Sequence, residues 1–234
     1  MVLPADQVLP AVEPALALLE LDSIAAGIEA GDAMAKRAPI DVIRAGTVHP
    51  GKYLVLVGGS VGDVEEALEA GREVASSSVL DVVLLPQVHT ELVEAIRGTR
   101  RTAIGEALGV IETATVAAIL EAADAGLKGA RVHLLEIRLA DDLGGKAYLL
   151  FDGMVADVEA AVETGAGRIA GAPGMVTRVI ARLHAEMAAN LAADARFAGR
   201  VKAGIDEAPV RAARVPGTAG SAPGTIRTPR GRRR

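Results

Sequence analysis

The residues that could do chemistry are few: one histidine in a turn and two glutamates that close apolar runs. His49 precedes a proline and a glycine, and a histidine in such a turn can ligate a transition metal or relay a proton. Glu20 and Glu112 end two similar apolar runs, and paired carboxylates can serve general acid–base catalysis. No histidine accompanies either glutamate in the pattern, so a structural hydrogen-bonding role is favoured for both.

Motifs for phosphate, thiol and metal chemistry are missing from the sequence. Glycine pairs stand at 58–59 and 144–145, but neither G-x-x-x-x-G-K-[ST] nor G-x-G-x-x-G occurs, so we interpret them as turn glycines. The chain has no cysteine, which excludes disulfides, thiolate catalysis and cysteine-ligated iron–sulfur or zinc sites. Without a nucleophile–base set or metal-ligand spacing, we predict a protein that is not an enzyme, with no catalytic residues, metal site or cofactor.

These candidate residues lie inside a sequence that is nearly repeated. The run ALALLELDSIAAGIEAGDAMAKRA, from Ala15, corresponds to LGVIETATVAAILEAADAGLKGA, from Leu108. After a shift of about two residues, which a loop absorbs, GKYLVLVGGSVGDVEEALEAG corresponds to GKAYLLFDGMVADVEAAVETG. Charged positions match too, in the pairs Glu20 and Glu112, Glu29 and Glu121, Asp32 and Asp124, and Lys36 and Lys128. The chain therefore holds two copies of one domain, which favours assembly over catalysis.

Local signals predict the same order of elements, β-α-β-β-α-β, in each copy. In the first copy we expect strands at 15–21, 41–48, 52–57 and 79–85 and helices at 24–37, 61–75 and 90–96. In the second copy we expect strands at 107–112, 132–140, 146–151 and 175–180 and helices at 115–129, 155–169 and from about 184. This order is that of the split βαβ, or ferredoxin-like, fold. It predicts an α+β protein whose four-stranded sheets each keep one face partly open for packing between copies or chains.

Composition and charge divide the chain into five segments: a leader at 1–14, a first domain at 15–97, a linker at 98–106, a second domain at 107–196 and a tail at 197–234. The net charge is −5, yet the tail carries nine lysines and arginines against two acids. Rich in Gly, Pro, Ser and Thr, the tail is predicted to be disordered. It lacks interleaved aromatic residues, so no specific nucleic-acid recognition is expected. No apolar run reaches the roughly 18 residues of a membrane span, so a soluble protein without membrane contact is expected.

The repeated runs closely resemble the shell-protein domain of bacterial microcompartments, and two such domains in one chain resemble the tandem-domain class. The resemblance implies two tandem ferredoxin-like shell domains and a homotrimer that imitates a hexamer. It implies a tile in the shell of a cytoplasmic compartment, with other shell proteins (hexamers and vertex pentamers) as partners and small metabolites crossing a central pore. Some tandem relatives hold an iron–sulfur cluster at the pore through cysteine, which this chain lacks.

The resemblance also implies residues at the tile edge, where neighbouring tiles meet. The family has a lysine at a helix end and an arginine and a histidine after the fourth strand of the domain. Gln87 stands where the first copy would have the arginine, which weakens that contact. The implied tile-edge residues are Lys36, Lys128, His89, Arg182 and His184. Without the resemblance, the two lysines are explained by the helix dipole.

The turn between the second and third strands of each domain lines the pore in this family. The implied pore-lining residues are His49, Pro50, Gly51, Asp142, Leu143 and Gly144. Three copies of His49 could converge on a metal, although a histidine that merely lines the opening is favoured. Asp141 and Asp142 either form a negative ring that disfavours anions or belong to an ordinary solvated turn, and both interpretations stay open.

We therefore expect a structural shell protein that passes metabolites through its pore. The alternative is a regulatory protein in which tandem ferredoxin-like domains bind a small molecule between the copies.

Overall fold

The computed structural model describes residues 15–102 and 105–193. The predicted leader at 1–14 and the predicted disordered tail at 197–234 lie outside the described residues. Part of the predicted linker, residues 103–104, also lies outside them. The boundaries of the five segments therefore remain predictions.

Each repeat forms the predicted order of strands and helices. The first repeat contains β1 (Ala15–Leu21), α1 (Ile24–Arg37), β2 (Val42–Val48), β3 (Lys52–Gly59), α2 (Val61–Ala75), a 3-10 turn (Ser76–Ser78), β4 (Val79–Leu85) and α3 (Thr90–Ile96). The second contains β5 (Ala107–Thr113), α4 (Val116–Gly129), β6 (His133–Leu139), β7 (Ala147–Gly153), α5 (Val155–Arg168), β8 (Val176–Ala181) and α6 (Ala185–Ala193).

Both sheets are antiparallel and share one topology, β2-β3-β1-β4 in the first repeat and β6-β7-β5-β8 in the second. This strand order confirms the predicted pair of α+β domains with the split βαβ pattern. β3 continues through the glycines at 58–59, which were expected to break it. Gly58 pairs with Leu16 on one side and Val42 on the other, because a glycine keeps the backbone donor and acceptor that a ladder needs.

Side-chain caps and prolines explain where the helices begin and end. The hydroxyl of Ser23 accepts a hydrogen bond from the backbone N–H of Ala26 at 3.3 Å. The hydroxyl of Ser60 accepts one from the backbone N–H of Asp63 at the same distance. Pro39 follows shortly after α1 and prevents its continuation. Thr115, expected as the first residue of α4, is instead its N-cap.

Close crossing of the two main helices in each repeat requires glycine. A Cβ at Gly71 of α2 would lie 2.7 Å from Cγ of Met34, and one at Gly165 of α5 would lie 2.8 Å from the carbonyl oxygen of Ala122. These two glycines occupy corresponding positions of the repeat. The small-residue helix face inferred from the sequence therefore serves helix–helix packing.

The apolar core does not divide evenly between the repeats. One cluster is confined to the first repeat, while the larger one joins Leu18 and Leu85 of the first repeat to Val116 and Leu120 of the second. Helix α4 thus lies on the face of the first sheet opposite α1 and α2, a face that it shares with α3. We call this contact, between α4 and the β1–β4 face, the inter-repeat junction. Packing between copies on an open sheet face was predicted, and the junction confirms it. Among the described residues, no helix has both the length and the apolar character to cross a membrane.

Candidate functional site

The two turns implied to line a pore lie against each other at one end of the inter-repeat junction. A Cβ on Gly145 would be 2.8 Å from Cδ of Pro50 and 3.2 Å from the carbonyl oxygen of His49. Gly145 has a φ of 84°, a conformation that suits glycine. We call residues 49–51 and 141–145 the pore turns. The structure therefore brings the implied pore residues of both repeats together.

The pore turns are largely open to solvent within one chain. His49, Pro50, Gly51, Asp142 and Gly144 are exposed, and Leu143 is half-buried. Asp142 adopts a φ of 61°, which aspartate tolerates better than most residues. Both Asp141 and Asp142 are exposed, so neither has lost its contact with water.

A buried ion pair lies directly behind the pore turns. Nζ of Lys52 is 2.7 Å from Oε1 of Glu20, whose side chain has no solvent exposure. The same ammonium donates to the carbonyl oxygens of Ala114 at 2.7 Å and Gly145 at 3.2 Å. Lys52 therefore ties the first sheet to the loop before α4 and to the second pore turn.

The other oxygen of Glu20 caps a helix of the second repeat. Oε2 of Glu20 accepts hydrogen bonds from the backbone N–H groups of Val116, at 2.7 Å, and Ala117, at 3.3 Å. A carboxylate at a helix N-terminus satisfies donors that have no partner in the helix and complements the helix dipole. Glu20 therefore has the structural hydrogen-bonding role that the sequence favoured. Its ion pair with Lys52 was not predicted from the sequence.

The other end of α4 holds implied tile-edge residues. Nζ of Lys128 is 2.6 Å from the Asp124 carboxylate and also donates to the carbonyl oxygen of Gln87. The second oxygen of Asp124 accepts from the backbone N–H of His89 at 2.9 Å. Lys128 and His89 are therefore neighbours in space, with nearly half of the Lys128 side chain exposed.

Within one chain, the other implied tile-edge residues lie away from Lys128 and His89. Lys36 pairs with Asp32 at 2.5 Å on the exposed side of α1, while Arg182 and His184 stand just after β8. Nδ1 of His184 accepts from the backbone N–H of Glu186 at 3.3 Å, and Nδ1 of His89 accepts from that of Glu91 at 3.2 Å. Both histidines thus begin a helix, a role that the sequence interpretation missed.

A second polar group joins α3 of the first repeat to β6 of the second. Glu91 accepts hydrogen bonds from Nδ1 of His133 at 2.9 Å and the backbone N–H of Leu134 at 3.0 Å, and it pairs with Arg101 at 3.3 Å. Burial alone would raise the pKa of Glu91, but these hydrogen bonds and the charge of Arg101 outweigh it and lower the pKa.

Glu136, also in β6, forms a second group of polar contacts next to the one around Glu91. Its carboxylate lies 2.6 Å from the guanidinium of Arg100 and 3.3 Å from the hydroxyl of Tyr148. Burial, and secondarily the negative charge of Glu136, raises the pKa of Tyr148 to about 12. Within residues 15–102 and 105–193, no group of three or more His, Asp or Glu side chains is arranged to hold a metal ion.

Comparison with known proteins places this geometry in a family. The BMC domain matches twice, at residues 15–88 and 107–182. The bacterial microcompartment shell protein PduT of Citrobacter freundii is 40% identical over 74% of this chain and 95% of its own length. The chain belongs to the bacterial microcompartment shell proteins.

Other relatives agree with the tandem organisation of this shell protein. The crystal structure of a microcompartment protein from Desulfitobacterium hafniense is 39% identical, with a TM-score of 0.66 over 75% of this chain and 98% of that one. PduA of Citrobacter freundii is 34% identical over 34% of this chain but 88% of its own length. One repeat of the shell protein thus corresponds to nearly the whole of PduA.

Family membership decides several expectations from the sequence. It confirms the predicted structural, non-enzymatic role and the predicted location in the cytoplasmic bacterial microcompartment shell. These relatives give the regulatory alternative no support. The roles of individual pore and edge residues remain predictions.

Proposed function

We propose that three copies of the chain form a flat pseudohexagonal tile with six repeats around one central pore. The orientation of α4 carries this proposal. Its N-terminus contacts Glu20 and lies next to the pore turns, while Lys128 at its other end lies among the implied edge residues. A helix of 14 residues spans about 21 Å. The repeat pair is therefore arranged with the pore turns at one end of α4 and the edge at the other.

The proposed tile joins other shell proteins, hexamers and vertex pentamers, through its outer edge. The edge contacts are assigned to Lys36, Lys128, His89, Arg182 and His184. Nearly half of the Lys128 side chain is exposed, although its ammonium already has partners within the chain. A partly exposed cation that its own chain holds in place can meet a neighbouring tile at a small entropic cost.

The proposed pore passes small metabolites, and its two kinds of turn alternate around the axis. The lining is assigned to His49, Pro50, Gly51, Asp142, Leu143 and Gly144. Three copies of the exposed Asp141 and Asp142 would give the opening a negative ring, and like charge lowers the local concentration of anions.

Assembly is tested by the mass of the purified chain in solution and by electron microscopy. At micromolar concentration we expect the mass of a trimer of the 23.9 kDa chain, and flat sheets or closed shells at higher concentration. A sharp monomer peak that persists at micromolar concentration would contradict the proposal.

The pore is tested separately with Asp142→Asn. Asparagine tolerates the positive φ of this position, so the change removes charge without disturbing the turn. Anion flux across the reconstituted tile should rise, while Asp157→Asn, a control in the first turn of α5, should leave it unchanged. Equal anion flux in wild type and Asp142→Asn would remove Asp142 from the pore lining.

A further inference from the structure

A groove of about 310 Å³, partly open to solvent, lies between α3 and the first sheet, at the end of the sheet where β1 begins. Leu56 of β3, Val42 of β2 and Ile96 of α3 are only half-buried there. One lining residue, the exposed Arg97, is charged. The groove therefore suits an apolar occupant. Its apolar lining consists of Leu16, Val42, Leu56, Val57, Gly58, Val93 and Ile96.

The second repeat contains a corresponding groove, with Leu150 of β7 and Leu191 of α6 in its lining. Leu150 occupies the place of Leu56, because the two residues pair with equivalent positions of β5 and β1. Leu191 occupies the place of Ile96, since each follows the histidine that begins its helix by the same interval. The two grooves are therefore copies of one feature of the repeat.

The linker between the repeats occupies the groove of the second repeat. The backbone N–H of Arg101 donates to the carbonyl oxygen of Leu135, in the edge strand β6, at 3.0 Å. The Arg100 guanidinium lies 2.6 Å from the Glu136 carboxylate and 2.8 Å from the carbonyl oxygen of Leu191. Leu135 is only 3% exposed beside this segment. The residues that precede the second repeat thus cover the groove of that repeat.

The leader at 1–14 precedes the first repeat as the linker precedes the second. Val8 and Leu9 stand before β1 by the same interval as Arg100 and Arg101 stand before β5. The second residue of β1 is itself part of the groove lining. Consecutive Cα atoms are about 3.8 Å apart, so the residues between Leu9 and β1 give enough length to reach the groove.

The residue types of each segment match the charges around its groove. In the second repeat the cationic linker meets the carboxylate of Glu136. Arg44 occupies the place of Glu136 in the first sheet, since the two residues pair with equivalent positions of β3 and β7, and a cationic segment would be repelled there. The only charged side chains of the leader are Asp6 and Glu13. An acidic segment is complementary to Arg44 and Arg97.

We propose that the leader docks in the groove of the first repeat as the linker docks in the groove of the second. Val8 lies against Ile96 of α3, and Leu9 lies along the edge strand β2. Docking removes apolar surface from water and covers an open strand edge, both of which favour the contact. The contact forms within one chain, so it does not depend on the proposed trimeric tile.

Thiol protection tests this docking in the full chain, which has no cysteine of its own. The single variant Ile96→Cys places a thiol in the groove, and its reaction with a maleimide requires the leader to move away. Adding Val8→Asp and Leu9→Asp should raise the reaction rate at least about tenfold, because carboxylates are unfavourable in an apolar groove. The matched control adds Val2→Asp and Leu3→Asp, which lie further from β1 and should leave the rate unchanged. Circular dichroism checks that every variant is folded.

The rates decide between the possible occupants. A fast reaction with and without the substitutions at Val8 and Leu9 would show that the groove is open, which overturns the proposal. A slow reaction in both cases would mean that a second copy or a bound small molecule covers the groove, which also overturns it. An equal increase from the control pair would contradict the assignment to Val8 and Leu9.

Cross-linking tests the same contact through distance. The double variant Val8→Cys and Ile96→Cys, treated with a short bis-maleimide, should be cross-linked within one chain, so that it keeps the size of a single chain on a denaturing gel and yields one cross-linked peptide. Val8→Cys combined with Val74→Cys, at an exposed position of α2 on the opposite face of the sheet, should give no such peptide. Covalent dimers in place of the internal cross-link, or no cross-link at all, would overturn the contact.

Discussion

Glu20 and Lys52 form an ion pair whose two charges come from neighbouring strands of the first repeat, yet both groups are satisfied by the second. The carboxylate caps α4, and the ammonium binds carbonyl oxygens of Ala114 and Gly145. Burying two charges is unfavourable, and here four backbone groups of the second repeat help to offset that cost. The pair therefore links correct docking of the repeats to the position of the pore turns.

Removing the cation should strongly destabilise the chain. Lys52→Met leaves the fully buried Glu20 carboxylate without a counter-charge, so the free energy of unfolding should fall by about 3–5 kcal/mol. Urea denaturation followed by circular dichroism measures the change. Arg37→Met is the matched control, because Arg37 and Glu73 form a loose pair at 3.7 Å with both side chains at least half exposed. The control should cost less than about 1 kcal/mol, and equal losses in the two variants would deny Lys52 this role.

Separating the pore turns should also be costly. Gly145→Ala places a Cβ against Pro50 and the His49 carbonyl at a positive φ, so a loss of about 2 kcal/mol or more is expected. Gly167→Ala, in α5 with open space around its Cβ position, should be neutral or slightly stabilising. Thermal unfolding of both variants measures the difference. A Gly145→Ala variant as stable as wild type would show that the two turns are not held in contact.

Acid should weaken the contact between α3 and β6 through Glu91. Its pKa is lowered in the folded chain, so its contribution to stability is present above the ordinary glutamate pKa and is lost as pH falls through the lowered value. Between about pH 6 and pH 3 wild type should therefore lose more unfolding free energy than Glu91→Gln. Glu94→Gln, an exposed change on the same helix, should follow wild type. Parallel pH profiles for wild type and Glu91→Gln would contradict this.

Raising the pH should destabilise the fold through ionisation of Tyr148. Its pKa of about 12 exceeds the ordinary tyrosine value of about 10, so the fold keeps the phenol protonated. The stabilisation is present below the ordinary value and is lost as pH rises from there towards 12.

The chain has two tyrosines and no tryptophan, so phenolate absorbance reports the titration directly. A component near pH 12 should be present in wild type and missing from Tyr148→Phe. The same late component in Tyr148→Phe would assign it to Tyr53 and refute the prediction.

Much of the fold was predictable because its signals are local. Apolar periodicity, the caps Ser23 and Ser60, and Pro39 act within a few residues, so helix and strand order followed from them. The continuation of β3 through Gly59 was not predictable in this way. It depends on pairing with β1 and β2, which are distant in the sequence.

The candidate site was predictable only where the repeat and the resemblance marked it. The resemblance implied a pore role for the turns at 49–51 and 142–144, and that role remains a prediction. Lys52 and Glu91 gave no comparable signal, since a lysine at the start of a strand and a glutamate in a first helical turn are ordinary features of exposed surfaces. Only their partners in the other repeat distinguish them.

Duplication, two α+β domains and the absence of cysteine chemistry could be read from the amino acids alone, because each depends on residue type and spacing. The difference in burial between equivalent residues of the two repeats could not be predicted from the sequence. Glu20 is fully buried whereas Glu112 is only partly buried, and Leu120 is buried whereas Ile28 is exposed, although their local sequences are nearly the same. Burial is a property of what packs against a residue: α4 lies on the β1–β4 face of the first sheet, whereas its counterpart α1 leaves Ile24 and Ile28 exposed.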